Sequence, residues 1–259
     1  MKTINRTLGR SLLVLIPFLA LNGMFAYADS HGPALPSGVL EVFQCNYNSG
    51  KDRDDLNALR DFYLKQAKKV NYTPPDAFLW TMTNGSWPTT LTWVNVHEDL
   101  SAYSRSYDTI AASTDLAAVN ERAETVMTCV PALGSYAHAF IRDPDAQGPW
   151  EATVASYACD LRPEQDMSDL EDLMEHVAMV NQSMGDDAMD ELLHFIPMTG
   201  LNNQPDVLVF AASRRGASSW SSHLALLEQS GAGRAVLAHF DSVLDCRLSL
   251  WDVEQMVGG

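Results

Sequence analysis

Val42-Phe-Gln-Cys45-Asn-Tyr47 has a counterpart in Ala155-Ser-Tyr-Ala-Cys159-Asp-Leu161, and the two cysteines lie 114 positions apart. A second pair follows the same pattern, because Val126-Met-Thr-Cys129 has a counterpart 117 positions later in Val243-Leu-Asp-Cys246. Between the cysteines the offset of 114 also relates a set of helix residues, namely Asp55, Leu56 and Leu59 to Asp169, Leu170 and Leu173. Self-similarity that stays in register over this length predicts two copies of one structural unit.

The four cysteines are predicted to form one disulfide bond within each copy. The economical pairing joins Cys45 to Cys129 and Cys159 to Cys246. An even number of cysteines in an exported chain usually forms disulfides. The sequence contains no Cys-x-x-Cys, His-x-x-x-His or His-Glu-x-x-His motif, so we expect no metal site built on these cysteines.

Residues 1–28 have the features of a cleavable signal peptide. Lys2, Arg6 and Arg10 precede the apolar run from Ser11 to Leu21, and a small-x-small pattern ends at Ala28. The alternative is a membrane anchor, but the run is shorter than the roughly 20 residues that a spanning helix needs. The sequence therefore predicts a protein that is exported to the periplasm or the extracellular space, with no membrane attachment after cleavage.

The formal net charge of −16 bears on the partners of the protein. An acidic surface repels phosphate groups, so the composition disfavours binding to nucleic acids and to anionic membranes. We therefore expect a small molecule as the partner, if there is one. The sequence defines no oligomeric state.

Apolar periodicity and turn residues divide the mature chain into two repeats, residues 29–141 and 150–259, joined by a turn-rich linker at 142–149. Each repeat reads as strand, helix, strand, strand, helix, strand. The predicted strands of the first are 39–46, 78–83, 91–96 and 124–130, and those of the second are 152–159, 193–198, 207–212 and 243–248. The predicted helices are 53–70 and 98–111, then one begun by a capping box at Ser168–Glu171, and 217–229, which ends in a turn at 230–233.

This order is the βαββαβ pattern of a ferredoxin-like unit, so we expect an α+β fold made of two tandem ferredoxin-like repeats. Such a unit leaves one sheet face uncovered, and two copies can bury these faces by packing sheet to sheet into a barrel within one chain. In the first repeat, Leu91-Thr-Trp93-Val-Asn-Val-His97-Glu-Asp-Leu-Ser-Ala-Tyr103 is a strand with aromatic residues that runs into an acidic helix start. This layout resembles the dimeric α+β barrel superfamily, which includes antibiotic-biosynthesis-monooxygenase-like domains. A weaker version spans 207–220.

Five residues are candidates for a ligand site. Trp93, Asn95 and His97 alternate along one strand and so share a face, Trp80 lies on the neighbouring strand, and His194 aligns with Phe78 of the first repeat. If they line the space between the sheets, they form an apolar pocket with a few polar groups. The alternative interpretation makes the tryptophans barrel core and His97 a solvated residue at a helix start. His176, in a charged helix, is expected at the surface.

Three functions stay open at this stage. The first is a non-enzymatic exported protein that binds a small apolar or aromatic molecule between the sheets. The second, implied by the resemblance, is a cofactor-independent or haem-dependent monooxygenase-like enzyme, for which His97 or His194 would be the axial ligand of a haem. The third is a structural or interaction module with a filled core. No catalytic residue can be assigned, because the chain has no Gly-x-Ser-x-Gly motif and no glycine-rich dinucleotide loop.

Overall fold

Strands and helices follow one another in the same order twice along the chain. The computed structural model describes residues 35–85, 89–143, 150–199 and 205–258, and the predicted signal peptide lies outside them. Eight strands lie in the described residues: β1 Ser37–Tyr47, β2 Asp76–Asn84, β3 Leu91–His97, β4 Met127–Ile141, β5 Glu151–Leu161, β6 Glu191–Thr199, β7 Val207–Ser213 and β8 Leu244–Val257. The same residues form six α-helices: α1 Arg53–Lys69, α2 Leu100–Ala112, α3 Thr114–Val126, α4 Met167–Ser183, α5 Ala217–Gln229 and α6 Gly231–Val243.

The strands close into one antiparallel barrel in the order β1-β3-β2-β8-β5-β7-β6-β4. The four strands of each half are neighbours, and the halves meet along two seams, β2 with β8 and β4 with β6. Closure pairs every strand on both sides and so leaves no free edge for aggregation. The fold is therefore a mixed α+β fold around an eight-stranded barrel.

Strand alternation separates an inner face from an outer face. Inside the barrel, residues of both halves share one apolar core, in which Leu40 and Val94 of the first half meet Phe210 and Trp251 of the second. Outside, α1 and α3 cover the strands of the first half, and α4 and α6 cover those of the second. Each half thus has its own outer core, while the inner core belongs to both.

The first helix of each half begins with a capping box. Asp52 caps α1 with Asp55, and Asp166 caps α4 with Asp169. The capping box predicted at Ser168 to Glu171 is therefore two residues too late. Asp at both positions satisfies the same free amides as the Ser and Glu pair would, which explains the misassignment.

Helix α6 was not predicted, because Ser230 to Gly233 has the composition of a turn. In the structure Ser230 ends α5 and also caps α6, where its hydroxyl accepts a hydrogen bond from the Gly233 amide. A Cβ atom at Gly233 would lie 2.2 Å from the Leu227 carbonyl oxygen. Glycine is needed there because the two helices approach closely, and not because the chain stops being helical.

The cysteines pair as predicted, one bond in each half. Cys45 lies directly opposite Cys129 on β1 and β4 with an S–S distance of 2.04 Å, and Cys159 lies opposite Cys246 on β5 and β8 at 2.07 Å. Disulfide pairs of this kind are typical of exported proteins. In the described part of the chain, no helix has the length and apolar character to cross a bilayer.

Candidate functional site

The outer face of β3 carries three of the five candidate residues. Val94 and Val96 point into the barrel, so the alternation turns Trp93, Asn95 and His97 toward the helices. The prediction that these three residues share a face agrees with this geometry. Their placement between the sheets was wrong, because the outer face of β3 lies under helices of the same half.

Hydrogen bonds join Trp93 and Asn95 to a carboxylate on the next strand. Trp93 Nε1 donates to Asn95 Oδ1 over 2.8 Å, and Asn95 Nδ2 donates to Glu41 Oε2 over 2.8 Å. Glu41 lies on β1 directly opposite Asn95, which explains the short reach. We call Glu41, Trp93, Asn95 and His97 the Glu41 network.

His97 is the member of the Glu41 network with unused hydrogen-bonding capacity. Its side chain is 4% exposed, and its Nε2 atom has no hydrogen-bond partner among the described residues. The nearest carboxylate oxygen is Glu41 Oε2, at 3.9 Å. A buried imidazole nitrogen without a partner has a desolvation cost, which a bound ligand could offset.

A second chain of hydroxyl groups approaches the same region. Tyr63 of α1 lies near Tyr72, whose hydroxyl forms a hydrogen bond with the hydroxyl of Ser106 on α2. Burial raises the pKa of Tyr63, and the neighbouring Tyr72 and Glu41 raise it further. Tyr63 therefore stays neutral at physiological pH and keeps its proton for hydrogen bonding.

His97, Tyr72 and Ser106 all line one cavity of about 390 Å³ between the end of β3, the start of β2 and helix α2. We call this cavity the α2 cleft. Its volume lies in the range of about 300–1,000 Å³ that is typical of small-molecule sites. The other lining residues are mostly polar, namely Thr73, Pro74, Pro75, Asp76, Val96, Glu98, Ala102, Arg105 and Thr109.

Helix α2 is the least buried wall of the cleft. None of its residues is classed as buried, and Leu100 and Tyr107 are 50% and 61% exposed. Its main aromatic contact with the sheet is the edge-on packing of Tyr103 against the His97 ring, with ring centroids 5.4 Å apart. Elements with few buried contacts open most easily, so access to His97 depends on α2.

Trp80 belongs to the other face of the sheet. It points into the barrel, where its ring packs edge-on against Phe210 and Trp251 at centroid distances of 4.9 and 6.3 Å. The internal cavity that these residues line measures about 40 Å³. An apolar cavity that binds benzene measures about 150 Å³. As formed by the described residues, the inner cavity is therefore too small for the aromatic ligand predicted there, and Trp80 is a core residue.

His194 lies in the second half, apart from the Glu41 network. His194 lies opposite Val209, and Leu79 lies opposite Trp93. Since Val209 corresponds to Trp93 in the strand registers, His194 corresponds to Leu79 and not to Phe78. Burial lowers the pKa of His194, and its Nδ1 atom has no hydrogen-bond partner among the described residues. It is a partly buried histidine on the outer face of β6, near Glu171 and His138.

The second half has no equivalent of the Glu41 network. In the first half, Glu41 pairs with Asn95, and the corresponding pair in the second half is Ala155 with Ala211. In the same way, the pair Val39 and His97 corresponds to Thr153 and Ser213. Trp93 corresponds in the same way to Val209. The residues of the second half that replace the network are therefore Ala155, Val209, Ala211 and Ser213, all of them buried.

Glu41 was missed by the sequence interpretation, although a signal was present. It is the one charged residue within the apolar run Val39-Leu-Glu-Val-Phe43. A charge on a predicted central strand needs a partner when it is buried. The pairing of first and third strands in the predicted topology would have placed that partner on the strand that carries Asn95.

Neither candidate axial ligand fits a haem in this structure. The Nε2 atom of His97 is buried and faces Glu41, so an iron atom, which needs open space about 2 Å from the nitrogen, would have to displace packed side chains. His194 lines neither of the two cavities described above. We derive no chemistry through a haem.

Neither a protein-family model nor a curated protein sequence matches the chain. Among solved structures, the chain is similar to a provisionally named monooxygenase from Fusobacterium nucleatum, with a TM-score of 0.55 and 12% identity over 87% of this chain and 97% of the other. It is also similar to a provisionally named chlorite dismutase, with a TM-score of 0.51 and 9% identity over 85% of this chain and 95% of the other. At this level of identity the similarity shows that the chain shares the fold of these two proteins, and it shows nothing about activity.

Proposed function

We propose that this protein is an exported monooxygenase-like enzyme that binds a small hydroxylated aromatic molecule in the α2 cleft. One observation carries the proposal. His97 lines a cavity large enough for a bicyclic compound, and its buried Nε2 atom, 3.9 Å from the Glu41 carboxylate, has no hydrogen-bond partner among the described residues.

The arrangement supports general-base chemistry. Because His97 Nε2 is buried, a phenol reaches it only when α2 moves aside; the phenol then transfers its proton to Nε2, and the nearby Glu41 carboxylate stabilises the imidazolium that forms. Asn95 and Trp93 hold the Glu41 side chain in place through their hydrogen bonds. An acid–base pair that is oriented by a third group is a common arrangement in enzymes.

The resulting phenolate can reduce O₂ without a cofactor. Its electron-rich ring carbon bonds to one oxygen atom, and the second oxygen leaves as water, so that a naphthol becomes a naphthoquinone. The four electrons that O₂ accepts all come from the substrate, and no external reductant is needed. The provisional name of the Fusobacterium structure agrees with this reaction class, although the proposal depends on the residues of the cleft.

Oxygen uptake with 1-naphthol as a first probe, together with formation of the quinone absorbance, tests the proposal. We expect His97→Gln and Glu41→Gln to lower kcat/KM by about 100-fold or more, because general-base catalysis contributes about 10²–10⁴-fold. Ser213→Ala changes the corresponding position of the second half and should leave the rate unchanged. Equal rates in the wild type and H97Q, over a panel of naphthols and larger phenols, would contradict the assignment of His97.

A binding protein without enzymatic activity would give a different result. The Trp93 indole is hydrogen-bonded within the network, so a ligand in the cleft should change its fluorescence. Saturable quenching that Trp93→Phe abolishes, without oxygen uptake, would assign the cleft to ligand binding alone.

A structural or interaction module is the second candidate function. It is favoured by the filled barrel interior, where the internal cavity measures about 40 Å³. It requires that the cleft binds no small molecule. Absence of both quenching and oxygen uptake would support it.

We further propose that the two halves are tandem ferredoxin-like repeats, residues 29–141 and 150–259, with a linker at 142–149. Support comes from the identical element order, from the strand orders β4-β1-β3-β2 and β8-β5-β7-β6, and from the equivalent disulfides. Proteolysis tests the linker, because a cut within 142–149 should leave the barrel closed. Loss of the folded state after this single cut would contradict the assignment.

Export is proposed on the features of residues 1–28 and on the disulfides. We expect the secreted or periplasmic protein to begin at Asp29, which N-terminal sequencing can determine. The proposed partner is a small molecule, and the acidic composition disfavours nucleic acids and anionic membranes.

A further inference from the structure

Two histidines on different helices of the second half face one another. His176 of α4 and His239 of α6 place their Nδ1 atoms 3.1 Å apart, with ring centroids at 5.3 Å and a tilt of 40° between the ring planes. Both residues are partly exposed, on the outer side of the molecule and on helices distant in sequence from the Glu41 network. In the metal-free protein the contact is a hydrogen bond between one protonated and one unprotonated nitrogen.

The same separation suits two ligands of one metal ion. Histidine nitrogens bind zinc at about 2.0–2.1 Å, so two nitrogens 3.1 Å apart subtend an angle of about 95–100° at the ion. This angle lies between those of neighbouring ligands in octahedral and in tetrahedral coordination. An ion can therefore replace the shared proton while α4 and α6 keep their positions.

We propose that His176 and His239 form an open binding site for a divalent transition metal of the zinc and copper type. Imidazole is a ligand that these ions favour over magnesium or calcium. No group of three or more His, Cys, Asp or Glu side chains in the described chain could complete the coordination, so water fills the remaining positions. The acidic composition attracts cations to the surface.

Such a site would link α4 to α6 when the metal is bound. The two helices pack over β5, β7 and β8 of the second half, where they cover its outer core. A ligand that binds only the folded state stabilises it in proportion to its concentration relative to the dissociation constant. Zinc is therefore expected to raise the unfolding temperature of the protein.

The sequence offered no sign of this site. The two histidines are 63 positions apart and belong to no metal-binding motif. His176 was expected at the surface of a charged helix, which agrees with its partial exposure, and His239 was not assigned.

Titration of the mature protein with Zn²⁺ alone tests the proposal. In ¹⁵N-histidine-labelled wild-type protein, Zn²⁺ should shift the Nδ1 resonances of two imidazoles and leave the other histidines unchanged. His176→Gln and His239→Gln should each weaken Zn²⁺ binding at least tenfold by calorimetry and abolish the rise in unfolding temperature. His138→Gln, a histidine outside the pair, is the matched control and should bind Zn²⁺ like the wild type.

Two results would overturn the proposal. One is unchanged Zn²⁺ affinity in the double variant H176Q/H239Q. The other is a wild-type spectrum in which Zn²⁺ leaves the Nδ1 resonances of the pair unchanged, or shifts those of other histidines instead. This second measurement does not depend on the folding of any variant.

Discussion

The two halves of the barrel share one element order and differ on the outer face of the central strands. In the first half, Glu41, Asn95 and His97 form a polar network beside a cleft of about 390 Å³. In the second half, Ala155 and Ala211 occupy the corresponding positions and pack against Met189 and Leu192 in an apolar cluster. The first half therefore has a candidate site at the positions where the second half has apolar core residues.

The helices above these strands differ in the same sense. Helix α2 buries none of its side chains, whereas α5 buries His223 and Leu227 and places Trp220 against the apolar cluster of the second half. Tyr63 of α1 lies near Tyr72, which lines the cleft. The residue at the corresponding position of α4 is Val177, which packs in the outer core of the second half. A fold of this kind can therefore stabilise itself with one half while the other half keeps space and polar groups for a ligand.

Removal of the disulfides should give the largest loss of stability, and it tests most directly whether the two halves contribute equally to it. The two bonds close loops of similar length, with sequence separations of 84 and 87. We expect the pairs of Cys→Ala substitutions, C45A/C129A and C159A/C246A, each to lower the free energy of unfolding by about 4 kcal/mol. Denaturant unfolding of both double variants measures this. A large difference between them would show that the two halves contribute unequally to the cooperative unit.

Exchange of the residues at Asn95 and at its counterpart Ala211 should give the next largest effect. Ala211→Asn places an amide in the apolar cluster of the second half without partners, and we expect a loss of about 2–4 kcal/mol. The reverse change, Asn95→Ala, removes two hydrogen bonds at the cleft and should cost about 1–2 kcal/mol. Chemical denaturation compares the two. If A211N were tolerated better than N95A, the second half would have room for a polar site after all.

The next prediction concerns Glu191, the first residue of β6 in the second half. Burial raises the pKa of Glu191, but the His138 imidazole at 3.6 Å and the hydrogen bonds from Trp150 and Arg214 outweigh burial and leave the pKa below its ordinary value. A lowered pKa in the folded state stabilises the protein above the ordinary pKa of 4.5, and this contribution disappears as the pH falls below it. Glu191→Gln should therefore cost about 2 kcal/mol at pH 7 and progressively less in acid.

The control for this prediction is the counterpart of Glu191 in the first half. The registers place Asp76 opposite Val96 as they place Glu191 opposite Ala212, and Asp76 is exposed. Asp76→Asn should lower the free energy of unfolding by less than Glu191→Gln does, because an interaction of an exposed carboxylate contributes less than that of a buried one. Stability curves from pH 3 to pH 8 for both variants would show whether the two positions differ as expected.

His194 should give the smallest effect, which appears only on acidification. Because burial lowers the pKa of His194, the unfolded chain takes up a proton more readily than the folded protein below the ordinary value of 6.5. The wild type should thus lose stability as the pH falls through this region. His194→Leu installs the residue found at Leu79 in the first half and removes the protonation. The unfolding free energy of H194L relative to the wild type should rise between pH 7.5 and pH 5, and a constant difference would contradict this explanation.

Much of the architecture could be predicted because it depends on local patterns. Apolar alternation placed the strands within a few residues, and helical spacing located α1 and α5 almost to their ends. The long strands β4 and β8 were cut short, since Pro131, Gly134 and several polar residues interrupt their apolar pattern. Pairing with two neighbouring strands of the barrel holds such segments extended regardless of their local preference.

The candidate site could be predicted only in part. The spacing of Trp93, Asn95 and His97 was sufficient to place them on one face of a strand, but not to decide which face is outside. A shift of orientation by one residue exchanges the two faces, and the apolar residues Val94 and Val96 compete equally well for the interior. Glu41 joined the site only through the register of β1 against β3.

The amino-acid sequence by itself determined the recurrence of cysteines and helix residues, the pairing of the cysteines and the order of most elements, because these follow from residue spacing along the chain. The tertiary structure alone decided which face of β3 meets the helices, that the barrel interior is filled, and that His176 meets His239. Contacts between segments distant in sequence depend on how helices and strands pack against one another, and this packing cannot be inferred from a local sequence pattern.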